Sequence, residues 1–193
     1  MTTVFFDIDT QLDFVVPAGA LYVPAAERLI SAVARLNQRA AGQGIPVIST
    51  TDAHTERDPE FAAWPPHCVA GTLGQRKPEA TLLPRRGVVS TAPGARPAPG
   101  VQQIVLEKRA LDCFTNPNLE AILDELGAVR FVVYGVVTEF CVRCAALGLL
   151  RRGGEVEVVA DAIRSLSPDA EVRTREEIVA AGGRFVTAAE VVG

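Results

Sequence analysis

The chain has 193 residues, 48% of them hydrophobic, and a formal net charge of −4. That length and apolar fraction fit one domain over residues 1–193 with a full core better than two domains. The basic residues are scattered and outnumbered by acidic ones, 19 against 23, so the footprint of phosphate-backbone recognition is missing and nucleic acid is excluded as an expected partner. No apolar run approaches the ~20 residues that span a bilayer, and "MTTVFFDID" lacks the basic flank and long apolar core of a signal peptide. The expectation is a soluble, cytoplasmic protein without a membrane partner, whose four cysteines are reduced and serve packing, catalysis or metal binding.

In chain order, the first apolar run predicts a strand over Val4–Asp9, with Asp7 and Asp9 on one face and Asp13 beyond it. A helix follows in "PAAERLISAVARLNQRAAGQG", where Pro24 suits the start, Leu29, Val33 and Leu36 share a face, and glycines mark the exit. A strand over Pro46–Thr51 then leads into residues 52–100, rich in Pro, Gly and Ala and with little periodicity. A structureless insertion of that length is usually functional or disordered. This one holds both histidines and the single tryptophan, which favours function.

Further strands are predicted over Gln103–Glu107, Phe131–Gly135, Glu155–Ala160 and Gly183–Thr187. Helices between them run through "NPNLEAILDELG", with Asn116 as cap, Pro117 in the first turn and Gly127 at the exit, from Thr138 to about Arg151, and from Ser167 or Pro168 to Ala181. This alternation predicts an α/β fold, a doubly wound, mainly parallel six-stranded sheet with helices on both faces in three αβα layers.

Such sheets bind ligands outside the carboxyl ends of their strands, where Asp7, Asp9, Asp52, His54, Lys108 and the turn from Thr138 to Cys141 are expected to meet. If Thr138 caps its helix, Cys141 lies in the first turn, where free N–H groups and the helix dipole favour a thiolate. Its bland alternative is a small buried hydrophobe. The C-x-x-C spacing to Cys144 keeps a redox dithiol open, although that motif usually sits at a chain's first strand-to-helix junction and this one is at the fourth. Lys108 at a strand end can lie beside the thiol, and Asp9 can serve as proton acceptor and donor. Asp52 and His54 place two metal-ligand types just past a strand, and His67 can complete a set suited to zinc, iron or manganese. A zinc site from Cys68, Cys141 and Cys144 competes with it, weakened by the absence of a second C-x-x-C.

Taken together and in order, "DTQLDF", "PAGALYVP", "DAH", "WPPHCVAGTLG", "EKRALDCF", "GVVTEFCVRCAALGLLRRG" and "VVADAIRS" resemble the isochorismatase-like cysteine hydrolases, and within them most the nicotinamidases. The resemblance implies a triad of Asp9, Lys108 and Cys141, a cis peptide at Val136–Val137, and an oxyanion hole from the N–H groups of Val137 and Cys141. It implies metal ligands at Asp52, His54 and His67, with Glu60 as a further candidate, and aromatic pocket walls at Phe14 and Trp64. The implied metal is zinc, with iron or manganese as alternatives, and relatives are often dimers or larger, which allows a homo-oligomer. The implied reaction is hydrolysis of a small amide, nicotinamide to nicotinate and ammonia, in NAD salvage; another amide or a carbamoyl compound is the alternative. Two positions depart from the nicotinamidase pattern: Ala53 stands where an aromatic is usual, and Asp112 and Cys113 precede Phe114 where a Tyr-Ser pair is common.

Overall fold

The computed structural model describes residues 2–192. In chain order its elements are β1 (Thr2–Ile8), α1 (Leu12–Val15), α2 (Leu29–Gly42), β2 (Val47–Asp52), β3 (Arg86–Val89), β4 (Gln103–Lys108), α3 (Leu119–Glu125), β5 (Ala128–Val136), α4 (Arg143–Arg151), β6 (Glu155–Arg164), α5 (Pro168–Ala180), β7 (Arg184–Val186) and α6 (Ala188–Val192). The strands form one parallel sheet in the order β3-β4-β2-β1-β5-β6-β7. No described helix is long and apolar enough to cross a membrane.

Strand periodicity sorts the core into two layers. Along β1, Val4, Phe6 and Ile8 pack with Leu119 and Ile122 of α3, Leu149 of α4 and Ile178 of α5. Phe5, between them, points to the other face and packs with Val33 and Leu36 of α2. The chain leaves β1 toward β2 through α2 on one face and leaves β5 toward β6 through α4 on the other. The carboxyl ends of β1 and β5 therefore open a crevice at the topological switch point. Gly135 lets the two strands meet there: its φ is +124°, and a Cβ would stand 2.1 Å from the Ile8 carbonyl oxygen.

The doubly wound αβα expectation holds, but the sheet has seven strands and not six. The additional strand, β3, has four residues inside the 52–100 stretch and pairs only with β4 at the sheet edge. An edge strand with Val88 61% exposed carries no apolar alternation to announce it. Several boundaries also move. β1 stops at Ile8 and Asp9 has a φ of +45°, so Asp7 and Asp9 do not share a strand face. α2 begins at Leu29 after a short 3-10 turn over Ala26–Arg28, four residues beyond Ala25, whose φ is +63°. α3 begins at Leu119, because the Asn116 side chain accepts from the Asn118 N–H at 2.9 Å and shapes the preceding turn without capping the helix. α5 begins at Pro168, one of the two expected starts, with the Ser167 side chain capping it.

Asp7 serves the fold. Its carboxylate accepts from Thr10 Oγ1 at 2.6 Å and Ser49 Oγ at 2.9 Å and pairs with Lys77 Nζ at 3.2 Å, all out of solvent. Lys77 thereby pins the long connection to the end of β1. Removing one partner of a buried ion pair leaves an uncompensated charge, so Lys77→Met should cost about 3 kcal/mol, read as a lower urea midpoint with unchanged slope.

Candidate active site

The ammonium of Lys108, the last residue of β4, is fully buried at the centre of the site. β2 and β4 pair in parallel with Asp52 opposite Lys108, so the two side chains leave neighbouring strand ends together. Lys108 Nζ donates to Asp52 Oδ1 at 2.5 Å and lies 2.9 Å from Asp9 Oδ2. Asp9, just past β1, is held by Thr50: Thr50 Oγ1 donates to Asp9 Oδ1 at 2.7 Å and accepts from the Asp9 N–H at 3.2 Å. Cys141 Sγ is 3.7 Å from the same ammonium. The sulfur is carried by a π-helical turn over Thr138–Val142 that follows the cis peptide Val136–Val137 and leads into α4.

Burial works against the charge on Lys108, but the Asp52 and Asp9 carboxylates outweigh it and lift its pKa well above the usual lysine value. Burial raises the Asp52 pKa to about 6 against the pull of Lys108, with Asp9 adding to the rise. Burial also pushes the Cys141 thiol well above the ordinary cysteine value; Lys108 opposes this, and Asp9 and Asp52 reinforce it. The expectation of a resting thiolate at a capped helix start is thus corrected. Thr138 does not cap: Val137 holds that position without a side-chain hydrogen bond, and Thr138 Oγ1 has no partner. Two carboxylates already match the one ammonium, so the side chains offer no surplus positive charge to a thiolate.

Asp52, His54 and His67 bring one donor atom each to within 4.8 Å of one another, all buried. His67 Nδ1 lies 2.8 Å from the Pro65 carbonyl oxygen, which can only accept, so this nitrogen carries the proton and Nε2 keeps its lone pair. Burial lowers the His67 pKa, favouring the neutral ring that a metal needs. His54 Nδ1 stands 3.2 Å from Asp58 Oδ2, and its Nε2 is 4.0 Å from Asp52 Oδ2. Neither ring nitrogen of this fully buried histidine makes a hydrogen bond. An orphaned buried imidazole beside a second imidazole and a carboxylate fits a divalent ion of the zinc, iron or manganese kind. Glu60 Oε1 is 3.8 Å from His67 Nε2 and so lies at the edge of this cluster.

Both clusters open onto one cavity, lined by Cys141, Val137, Asp52 and His67 together with Phe14 and Trp64. Phe14 packs on the His67 ring at 5.3 Å between centroids, and Trp64 meets Phe140 edge-on at 5.5 Å. Every residue proposed from sequence for the triad, the metal set and the pocket is therefore within one site. Sequence reasoning missed Leu21, Leu111, Phe140 and Leu166, which complete the apolar wall, Thr50, which holds Asp9, and Asp58, whose carboxylate faces His54. Those apolar residues carry no chemistry that marks them in a sequence. Of the two departures, neither Ala53 nor Cys113 lines the cavity: Ala53 is buried with its N–H on the Lys108 carbonyl, and Cys113 belongs to the core. All four cysteines are free, and Cys144 is half-buried on α4 outside this cavity.

Several known proteins are similar to this chain. The isochorismatase domain family model matches residues 3–190. The nicotinamidase of Escherichia coli is 26% identical over 211 residues, covering 95% of this chain and 93% of that one. Among solved structures, the pyrazinamidase of Pyrococcus horikoshii in complex with zinc superposes with a TM-score of 0.81 at 28% identity, over 97% of this chain and 99% of that one. The N-carbamoylsarcosine amidase of Thermoplasma acidophilum superposes with a TM-score of 0.80 at 25% identity over the whole of both chains. With a match across almost its full length, the chain belongs to the isochorismatase family.

Proposed function

We propose that this protein is a cysteine amidohydrolase that converts nicotinamide to nicotinate and ammonia through a thioester. The reading rests on the meeting of Cys141, Lys108 and Asp9 beneath an apolar cavity that Asp52 and His67 also line. Burial keeps the resting thiol protonated, so its ionisation belongs to the attack itself. Asp9 takes the proton as the sulfur bonds to the carboxamide carbon, and the carbonyl electrons move to oxygen, where the N–H groups of Val137 and Cys141 would receive them. Asp9 returns the proton to the departing ammonia, and water, losing its proton to Asp9, cleaves the thioester to release the acid and the thiol. Lys108, held cationic, offsets the carboxylate charge throughout. Phe14 and Trp64 supply flat apolar walls for the ring. When bound to Asp52, His54 and His67, a divalent ion would supply Lewis-acid anchoring for a ring nitrogen.

The likeness to N-carbamoylsarcosine amidases favours a second reading, a hydrolase of carbamoyl compounds on the same triad. The described lining is mostly apolar and aromatic, with Phe14, Trp64 and Phe140 facing it, which suits a flat ring better than a flexible carboxylate-bearing chain. This supports the neutral ring amide. A dithiol role for Cys141 and Cys144 has no such support, since Cys144 lies outside the cavity.

Purified protein loaded with zinc should release ammonia from nicotinamide, with little release after treatment with a chelator and recovery on adding the ion back. A folded, loaded protein that leaves nicotinamide intact but cleaves a carbamoyl amino acid would shift the assignment to the second reading. Cys141→Ala should remove turnover without changing the circular dichroism spectrum, whereas Cys144→Ala should leave turnover near wild type. In metal-free protein, a raised thiol pKa keeps Cys141 neutral below that pKa, and the thiolate fraction climbs with pH. Alkylation of Cys141, followed by mass spectrometry, should therefore accelerate about tenfold per unit between roughly pH 7 and 9; a rate already level at neutral pH would show a preformed thiolate.

A further inference from the structure

The side chain of Gln11 takes no part in the chemistry above, yet it is completely buried and makes three hydrogen bonds. Its Oε1 accepts from the Asp52 N–H at 2.7 Å, and its Nε2 donates to the Asp52 carbonyl at 2.9 Å. The carboxamide thus pairs with the peptide groups of one residue as a neighbouring strand would. It does so where β1 has already stopped, so that no main chain of β1 remains to pair with the end of β2. The second Nε2 hydrogen goes to the Gln75 carbonyl at 2.8 Å. Gln75 in turn accepts from the Gly71 N–H through its own Oε1 at 2.8 Å, and the same segment pairs with His54, whose N–H donates to the Cys68 carbonyl at 3.2 Å and whose carbonyl accepts from the Ala70 N–H at 2.9 Å. One amide therefore joins the strand end that carries Asp52 and His54 to the segment that follows His67.

The geometry points to Gln11 as the positioning residue of the Asp52, His54 and His67 frame: it holds the main chain of Asp52 and the His67 segment in one register, so that the three donor atoms stand together before an ion arrives. This rests on reading that cluster as a metal site. Both donor hydrogens and the acceptor of the carboxamide are in use, so its replacements fail in different ways. Methionine leaves every partner unpaired, and glutamate sets an oxygen against two carbonyls.

The test is Zn²⁺ affinity of the full chain without substrate, measured by competition with a chromophoric chelator, with thermal unfolding recorded for each variant. Gln11→Met and Gln11→Glu should each weaken binding about 10–100-fold, the size expected when the outer partners of metal ligands are lost. Ser49→Ala is the structural control. It removes another buried side chain of β2, bonded to Asp7 and Gln103, and should lower stability while zinc affinity stays at the wild-type value. His54→Ala separates the two ideas. If it binds zinc as tightly as wild type, the metal reading itself is wrong. If it loses zinc while a folded Gln11 variant keeps wild-type affinity, the role of Gln11 is overturned, as it also is if Ser49→Ala weakens zinc to the same degree. Should the methionine and glutamate variants not fold, Gln11→Asn, which keeps the amide but shortens its reach, is judged by the same affinity criterion.

Discussion

The site is organised by one enclosed positive charge. An ammonium with no access to water must find its compensation in the protein, and Lys108 finds it in two carboxylates from two different strand ends, at 2.5 and 2.9 Å. Each carboxylate also faces something else. Asp9 looks toward the sulfur side and Asp52 toward the histidines, so a single lysine ties the Cys141 cluster to the histidine cluster. Neither half can be rearranged without uncovering a buried charge. The surrounding polar side chains follow from the same demand: Thr50 occupies the second oxygen of Asp9, and Asp58 faces the far nitrogen of His54.

This arrangement depends on a parallel sheet. Parallel neighbours end at the same edge, so β1, β2, β4 and β5 deliver Asp9, Asp52, Lys108 and the Cys141 turn to one place from four distant parts of the chain. The end of β1 separates two neighbouring acids within three residues. Asp7 points back into the layer under α2, where it meets Asn37 and Lys77, and Asp9 escapes the strand's alternation through a positive φ. Burial, which makes the charge cluster possible, also sets the resting state of Cys141. Desolvation of the sulfur outweighs the attraction of a lysine whose charge is already matched.

The sequence was legible where periodicity was strong and where chemistry-bearing residues sat at strand ends. The helix around Val33 and Leu36, the order of the strands along the chain, and the clustering of Asp9, Lys108, Cys141, Asp52, His54 and His67 all follow from such signals and from the family motifs. What could not be read was set by tertiary contacts. β3 is a four-residue edge strand whose existence depends on β4 already being in place. The true start of α3 hangs on an asparagine side chain bonding two residues ahead, and the protonation of Cys141 on a charge balance between four strand ends. Ala53 and Cys113 depart from the family motif, but neither lines the cavity: the first is buried with its N–H on the Lys108 carbonyl, and the second lies in the core.

Three anchors divide the long connection between β2 and β4. Gln11 holds the carbonyl of Gln75, Asp7 holds Lys77, and Asn37 and Gln103 both donate to the carbonyl of Thr81, at 2.7 and 3.1 Å. The span before them contains the histidines and Trp64; the span after them contains only β3 and the proline-rich run to Gly100. No residue of the second span lines the cavity, and its exposed end, Ala98 to Gly100, is therefore the natural place to attach a label or a tether.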